Sequence, residues 1–388
     1  MIKQLLRIAP VAVLLATSQI VMAQTPKPVI GQANAGGIPI PSMLFLTIAP
    51  DARSAAMGDA GSSISPSAYS VYWNPAQTVF AENTFGGALS YTPWLRNLGV
   101  DDMALYNFTG YYKSKGTQAF GLMVNYFNQG NFQNTSQTGQ VLGTFSSREY
   151  AVTGSYSRKM SDKMSIGVNL KYINSDIFGG AAVTGVTAKP ASTVAADLAA
   201  YWKPTRAGKK WQYSYAVVLS NIGGKISYGG VEENFIPTNL KFGLAGVHKI
   251  DDHNSITLTV DFNKLMIPTP TADGTWKAKS SLGAIFSSLG DAPGGFSEEL
   301  KEITTSLGAE YNYNQTFFLR AGYFYETEMK GNRKFFSAGL GVNLDKKYGL
   351  DFAYLLPTTT DSPLANTLRF TLHASLDSKK ESGNDKLN

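Results

Sequence analysis

From residue 85 onward the chain alternates apolar and polar positions with a period of two, the pattern of strands that bury or shield one face only. Between residues 165 and 175, Ile166, Val168, Leu170 and Tyr172 fall on one face, with Ser165, Gly167, Asn169 and Lys171 on the other. Ile256, Leu258, Val260 and Phe262 likewise oppose Ser255, Thr257, Thr259, Asp261 and Asn263. Leu368, Phe370, Leu372 and Ala374 oppose Thr367, Arg369, Thr371 and His373. The alternation predicts strands at 85–91, 102–112, 118–127, 148–159, 164–175, 193–202, 212–219, 239–249, 255–264, 305–312, 317–326, 334–344, 348–356 and 366–376. That is an even number, and several approach the roughly 9–11 residues that cross a bilayer at a tilt. A soluble β-sandwich would show the same alternation, so the pattern alone does not choose between them.

The connections do choose. Short polar links at 113–117, 161–163, 251–254, 312–315 and 345–347, with a somewhat longer one at Lys203–Trp211, alternate with long ones. The long ones are Asn128–Ser147, Asp176–Ser192, Asn221–Thr238 and Leu265–Thr304. Short turns at one end and long loops at the other are the habit of outer-membrane barrels, with the short turns periplasmic. The expected fold is therefore an all-β, fourteen-stranded antiparallel transmembrane β-barrel over residues 85–376. Within the longest loop, Lys279–Leu289 spaces Leu282, Ile285, Phe286 and Leu289 as a helix would, and Ser297–Ile303 reads as a second helix capped by Ser297. Such a pair either docks a partner or packs on the barrel rim, and exposure of its apolar face distinguishes the two.

The stretch Phe45–Ala76 breaks the alternation. It carries three prolines and a run of small residues from Ala52 to Ser63, with Asp51 placed to cap a short helix that Gly58 and Gly61 would end. Fourteen strands enclose a lumen too wide for wall side chains to fill, so the barrel is either a pore or plugged. Residues 42–84 are the expected plug, and an ordinary surface loop is the alternative. Residues 24–41, rich in Pro, Gly and small polar residues, read as an irregular leader, and 377–388 as a polar tail.

Composition narrows the function. Lys3 and Arg7 ahead of the apolar run Ile8–Val21, then Met22-Ala23, make residues 1–23 an expected secretory signal peptide. No later apolar run is long enough for a membrane helix. Aromatic residues make up 12% of the chain, which suits ring-lined membrane boundaries. The absence of cysteine removes disulfides, thiolate metal sites and a lipid anchor at the cleavage site. The net charge of +6 is scattered, which argues against nucleic acid as a partner. No cofactor fingerprint occurs, and His248, His253 and His373 lie near no nucleophile elbow, so an enzyme is not expected. His253, after Asp251 and Asp252, reads as a hydrated turn in preference to a metal site, and His373 as lumen lining beside Arg369.

FLTIAPDARSAAMGDAG at 45–61, followed by WNPA at 73–76, resembles the amino-terminal region of the PorV/PorQ family of the Bacteroidetes type IX secretion system, the PorV side more closely. That family is similar in architecture to the FadL family of fourteen-stranded outer-membrane transporters. The resemblance implies an integral outer-membrane protein with long loops outside. It would bind the carboxy-terminal signal domain of secreted cargo. It would carry that cargo from the type IX translocon to an attachment complex holding a PorU-type sortase. The alternative is a FadL-like transporter of hydrophobic small molecules with a lateral opening, for which Gly86-Gly87 and Gly322 are candidate strand kinks. Within the plug, Arg53, Asp59, Trp73, Asn74 and Pro75 are the expected gating residues. Arg53, Asp59 and Asn74 would reach wall residues such as Asp261, Asn263 or Arg369, because unpaired charge inside a barrel is costly.

Overall fold

The computed structural model describes residues 37–96, 99–136, 138–179, 182–183, 186–204, 209–230, 233–271, 273–358 and 367–377. The expected signal peptide, the leader up to residue 36 and the tail from residue 378 lie outside the described residues.

The wall is built from β1 (Phe85–Pro93), β2 (Ala104–Ser114), β3 (Gln118–Thr135), β4 (Val141–Ser161), β5 (Met164–Asp176), β8 (Ala191–Trp202) and β9 (Trp211–Gly223). It continues with β10 (Asn239–Lys249), β11 (Asn254–Leu265), β12 (Thr304–Tyr313), β13 (Phe317–Tyr325), β14 (Lys334–Leu344), β15 (Tyr348–Pro357) and β16 (Leu368–Leu376). A two-residue pair, β6 (Ala182–Val183) and β7 (Val186–Thr187), stands outside it. Each wall strand pairs antiparallel with its sequence neighbours, and β1 closes on β16 from Phe85↔Leu376 to Tyr91↔Phe370. No sheet edge remains along the wall, as a bilayer demands of backbone N–H and C=O groups.

The two faces divide by chemistry. On β5, Ile166, Val168, Leu170 and Tyr172 are exposed outward, while Ser165 and Asn169 are fully buried inward. Aromatic pairs gather at both ends of the outer face: Phe85–Tyr112, Phe120–Tyr156 and Trp211–Tyr213 at one, Tyr91–Tyr106, Tyr106–Tyr126 and Tyr150–Tyr172 at the other. An apolar belt between two aromatic girdles is the outer face of a membrane barrel. The short turns carry paired positive φ angles at Lys115 and Gly116, Asn314 and Gln315, Asp345 and Lys346. This is the turn geometry whose twist matches that of the flanking strands.

Residues 128–147, expected as a long loop, are mostly strand. Past the last wall pairs, Ala104↔Asn128 and Arg148↔Asp176, the ends of β3 and β4 pair only with each other and form a ribbon that rises beyond the barrel. Phe132 stacks on Phe145 at 5.7 Å, and a register shift between Asn128 and Asn131 turns the ribbon at its base. That bulge breaks the two-residue period where the polar, Gly-containing sequence already hides it.

The chain before β1 crosses the lumen from one end to the other. A 3-10 turn at Leu44–Thr47 places Phe45 and Leu46 among Leu105, Phe127, Ala151, Ile173 and Ile236, at the long-loop end. Helices α1 (Ala52–Ala55) and α2 (Ser70–Trp73) lie deeper. A second 3-10 turn, Pro75–Phe80, brings Phe80 beneath the Lys159 ammonium at the short-turn end, where Lys113 donates to Ala81 O. In the loop between β11 and β12, α3 (Ser281–Ser287) is capped by Ser280, whose Oγ accepts from Gly283 N at 3.1 Å. The second helix, α4 (Phe296–Glu299), begins one residue before Ser297, with Gly295 as its cap, so Ser297 does not cap it. Its Oγ donates instead to Gly294 O.

Candidate functional site

Asp51 anchors the plug at two points. Its Oδ2 accepts from Ser54 N at 2.9 Å, which caps α1, and its Oδ1 accepts from Trp73 Nε1 at 2.6 Å. The Trp73 ring in turn carries the Lys241 ammonium 4.3 Å from its centroid and lies flat against Gly61. A buried indole needs a partner for its N–H, and here the partner is also a helix cap.

Arg53 does not reach Asp261, Asn263 or Arg369. It forms a two-pronged pair with Glu310 of β12, Nε to Oε2 and Nη2 to Oε1 both at 2.8 Å, and donates to Ser65. Glu310 also accepts from Arg320 Nε at 2.7 Å, Arg320 Nη1 donates to Asp351 at 2.6 Å, and Asp351 faces His373 at 3.3 Å. One plug cation thus completes an alternating row of charges across β12, β13 and β15, with the His373 ring of β16 beside its last carboxylate. Such a row is tolerated in a buried setting because every carboxylate has a guanidinium partner. Asp261 holds the plug through backbone instead, accepting from Gly61 N and Ser62 N at 2.9 Å each and from Ser62 Oγ at 2.7 Å.

Asn74 spans plug and wall. Its Nδ2 donates to Ser62 O at 3.0 Å and Ala200 O at 3.4 Å, and its Oδ1 caps the turn that starts at Pro75. Pro75 lies against Gly167, where a Cβ would meet the proline carbonyl carbon at 2.6 Å. Gly58 and Asp59 both have positive φ, which reverses the chain under α1. Asp59 Oδ1 is buried and accepts no hydrogen bond.

None of the three candidate glycines kinks its strand, and Gly322 is a seat for the plug. Gly322 pairs in unbroken register with Gly308 and Ser337, and a Cβ on it would fall 2.1 Å from Gly58 N. Gly86 and Gly87 likewise sit in regular pairs with Tyr111 and Gly110, and Gly86 makes room for the Tyr111 ring. The register does shift between β8 and β9, from Ala196↔Ile222 to Leu198↔Leu219, and Asn221 takes φ 57° there. The bulge is filled: Asp197 accepts from Asn221 N at 2.7 Å, Asn169 Nδ2 at 2.7 Å and Lys171 Nζ at 2.8 Å.

Above the plug, toward the long-loop end, lies a cavity of about 680 Å³. Leu44, Phe45, Trp94, Phe127, Phe324 and Phe335 give it apolar walls, and Asp59, Trp73, Lys241 and Arg369 lie at its floor. Glu149 adds a buried carboxyl that accepts from Gln129 Nε2 and Ser175 Oγ, each at 2.6 Å. Glu302 and Lys330 mark the rim. Lys330 donates to Glu298 at 2.7 Å and Glu302 at 2.9 Å, and Lys264 holds Glu299 at 2.8 Å and also Glu302. The hydrogen bond from Lys330 holds the Glu298 carboxyl below its ordinary range despite its burial. For Glu299, desolvation pushes upward, but the Lys264 hydrogen bond and Ala292 N outweigh it. For Lys330, desolvation pulls downward, and Glu298 and Glu302 more than reverse it.

The plug residues at 45–76 lie within the span that decides the family. The family model described as "Type IX secretion system protein PorV" matches residues 33–272, more than half of the chain. This chain belongs to the PorV family. A PorV-family barrel is an integral outer-membrane component of type IX secretion, and the belt and girdles described above are its lipid-facing surface. Comparison with curated proteins found no match.

Among solved structures, the Ralstonia pickettii toluene transporter TbuX aligns with this PorV-family chain at a TM-score of 0.51 and 14% identity, over 84% of this chain and 98% of that one. The Pseudomonas putida toluene transporter TodX aligns at 0.50 and 14%, over 83% and 95%. A monoaromatic hydrocarbon channel, CymD, aligns at 0.50 and 13%, over 89% and 100%. At these identities the likeness is one of fold.

The five expected plug residues fall into three groups in this PorV-family structure. Arg53 docks on the charge row, Trp73 and Asp59 form the cavity floor, and Asn74 and Pro75 lie against Ala200 and Gly167 of the wall. Glu310 as the partner of Arg53, and the Arg320–Asp351 pair behind it, are not among the expected contacts. Their signal was present as charge on the non-apolar face of otherwise apolar strands.

Proposed function

We propose that this PorV-family barrel is a receptor that holds the carboxy-terminal signal domain of secreted cargo at its long-loop end and passes it from the type IX translocon to a PorU-type attachment complex. The observation that carries the reading is the vestibule: a cavity of about 680 Å³ floored by plug residues, with the plug docked on the wall through ion pairs, backbone hydrogen bonds and glycine seats. A receptor needs a shaped recess on a rigid scaffold and a closed floor, whereas a pore needs continuity. The long loops face outward on this account, and the role is recognition without catalysis. Affinity purification of the tagged protein from its own outer membranes tests it. The expected result is enrichment of proteins sharing a carboxy-terminal signal domain; recovery of lipid-like small molecules without such proteins contradicts it.

A second reading, uptake of hydrophobic small molecules, has one observation in its favour. The cavity's aromatic and aliphatic walls and its volume suit a compact apolar ligand, in the range of about 300–1,000 Å³ usual for such sites. The filled bulge at Asp197 and Asn221 weighs against a standing lateral exit.

A further inference from the structure

Helix α3 turns Ala284, Ile285 and Ser288 inward, where Ala284 packs with Phe235 and Ile267. Its other face, Leu282, Phe286 and Leu289, is exposed, and so are Phe296 and Leu300 on the turns that follow. Phe286 and Phe296 are 76% and 77% exposed, more than the lipid-facing Phe262 at 45%. The apolar face that sequence left between partner and rim is therefore uncovered by the described residues.

This surface is held rigidly and in a telling place. Lys264 ties Glu299 and Glu302, Lys330 ties Glu298 and Glu302, and Glu298 and Glu299 accept from Gly294 N and Ala292 N. Lys264 shares its face of β11 with Leu258, Val260 and Phe262, the side turned to lipid. It stands two residues beyond Phe262, about 7 Å along the strand. Glu299 and Glu302 thus cover the last outward side chain of β11, where the belt ends, while Glu302 also reaches Lys330 on the vestibule rim, and Lys301 stands exposed beside Leu300.

We propose that residues 281–300 form an interfacial lipid-binding platform. Leu282, Phe286, Leu289, Phe296 and Leu300 enter the acyl region of the leaflet on the long-loop side, with Lys301 at the level of the lipid phosphates. Continuity with the belt identifies the occupant, because an amphipathic surface at that depth meets acyl chains on its apolar side and headgroups at its cationic edge. The platform would fix the tilt of the barrel and the height of the vestibule over the membrane. It stands independently of what the vestibule binds.

The chain has no cysteine, so single-site labelling is clean. Phe286→Cys and Phe296→Cys, each carrying a nitrobenzoxadiazole label, are placed in lipid nanodiscs containing doxyl-labelled phospholipid. Leu258→Cys serves as the lipid-facing reference and Leu142→Cys, at the ribbon, as the aqueous one. The expected result is doxyl quenching at 286 and 296 at least half that at 258, with iodide quenching at least fivefold weaker than at 142. Iodide quenching equal to that at 142 overturns the proposal. So does shielding from both quenchers that appears only in native membranes, which would assign the face to a protein. If either variant fails to insert, Leu282→Cys and Leu289→Cys read the same surface.

Discussion

Trp73 Nε1 donates to Asp51 Oδ1 at 2.6 Å, joining the second plug helix to the cap of the first. Trp73→Phe keeps a ring for Lys241 and Gly61 but leaves a buried carboxylate oxygen without its donor. The expected loss of plug stability is about 1–3 kcal/mol, the cost of an unmade buried hydrogen bond. Hydrogen exchange of the 51–62 amides reads it, and protection equal to the parent would refute the coupling.

Arg53→Ala removes the plug's ion pair with the wall. Breaking a buried pair costs about 3–5 kcal/mol, and Arg320, still bonded to Glu310, keeps the loss toward the lower end. Single-channel recordings in planar bilayers are expected to show new openings. Conductance indistinguishable from the parent would mean that the plug does not depend on Arg53.

Gly322→Val tests the seat directly. Its side chain would occupy the space of Gly58 N while leaving the pairs with Gly308 and Ser337 intact. The expected outcome is a barrel that still inserts but exposes Arg53 to trypsin. Gly87→Ala is the control, since a Cβ there finds its nearest neighbour at 3.7 Å, an ordinary contact. Equal resistance of both variants to trypsin would contradict the docking geometry.

Acid should loosen the loop between β11 and β12 before the wall. Glu298 and Glu299 have pKa values below the ordinary 4.5, through Lys330 for Glu298 and, against desolvation, through Lys264 for Glu299. A depressed carboxyl contributes stability that is complete above its unfolded value and is lost as pH falls through the folded one. Hydrogen exchange of residues 292–302 is therefore expected to be flat from pH 7 to about 5 and to accelerate below about 4.5 after correction for intrinsic rates. Acceleration beginning near pH 6 would point to a different group.

The wall was legible because lipid outside and polar groups inside impose a strict period of two on every strand, and β5, β11 and β16 carry it without interruption. Plug contacts were not legible, since the partner of Arg53 depends on which strand faces α1 across the lumen, a relation set by closure and shear. Gly322 read as a kink because a missing side chain looks the same whether the strand bends or another backbone arrives. The ribbon at the ends of β3 and β4 was hidden by its bulge, and Ser297 lost its cap to Gly295, whose positive φ starts α4 one residue earlier.

The most direct test of the receptor account is photo-crosslinking from inside the vestibule. With benzoylphenylalanine at Trp94, which lines the cavity, and at Leu258, which faces lipid, cells secreting their normal cargo are irradiated and adducts are identified by mass spectrometry. The account predicts adducts to cargo carboxy-terminal signal domains from position 94 and none from position 258. Absence of cargo adducts at 94, with the plug intact and cargo still secreted, would contradict it.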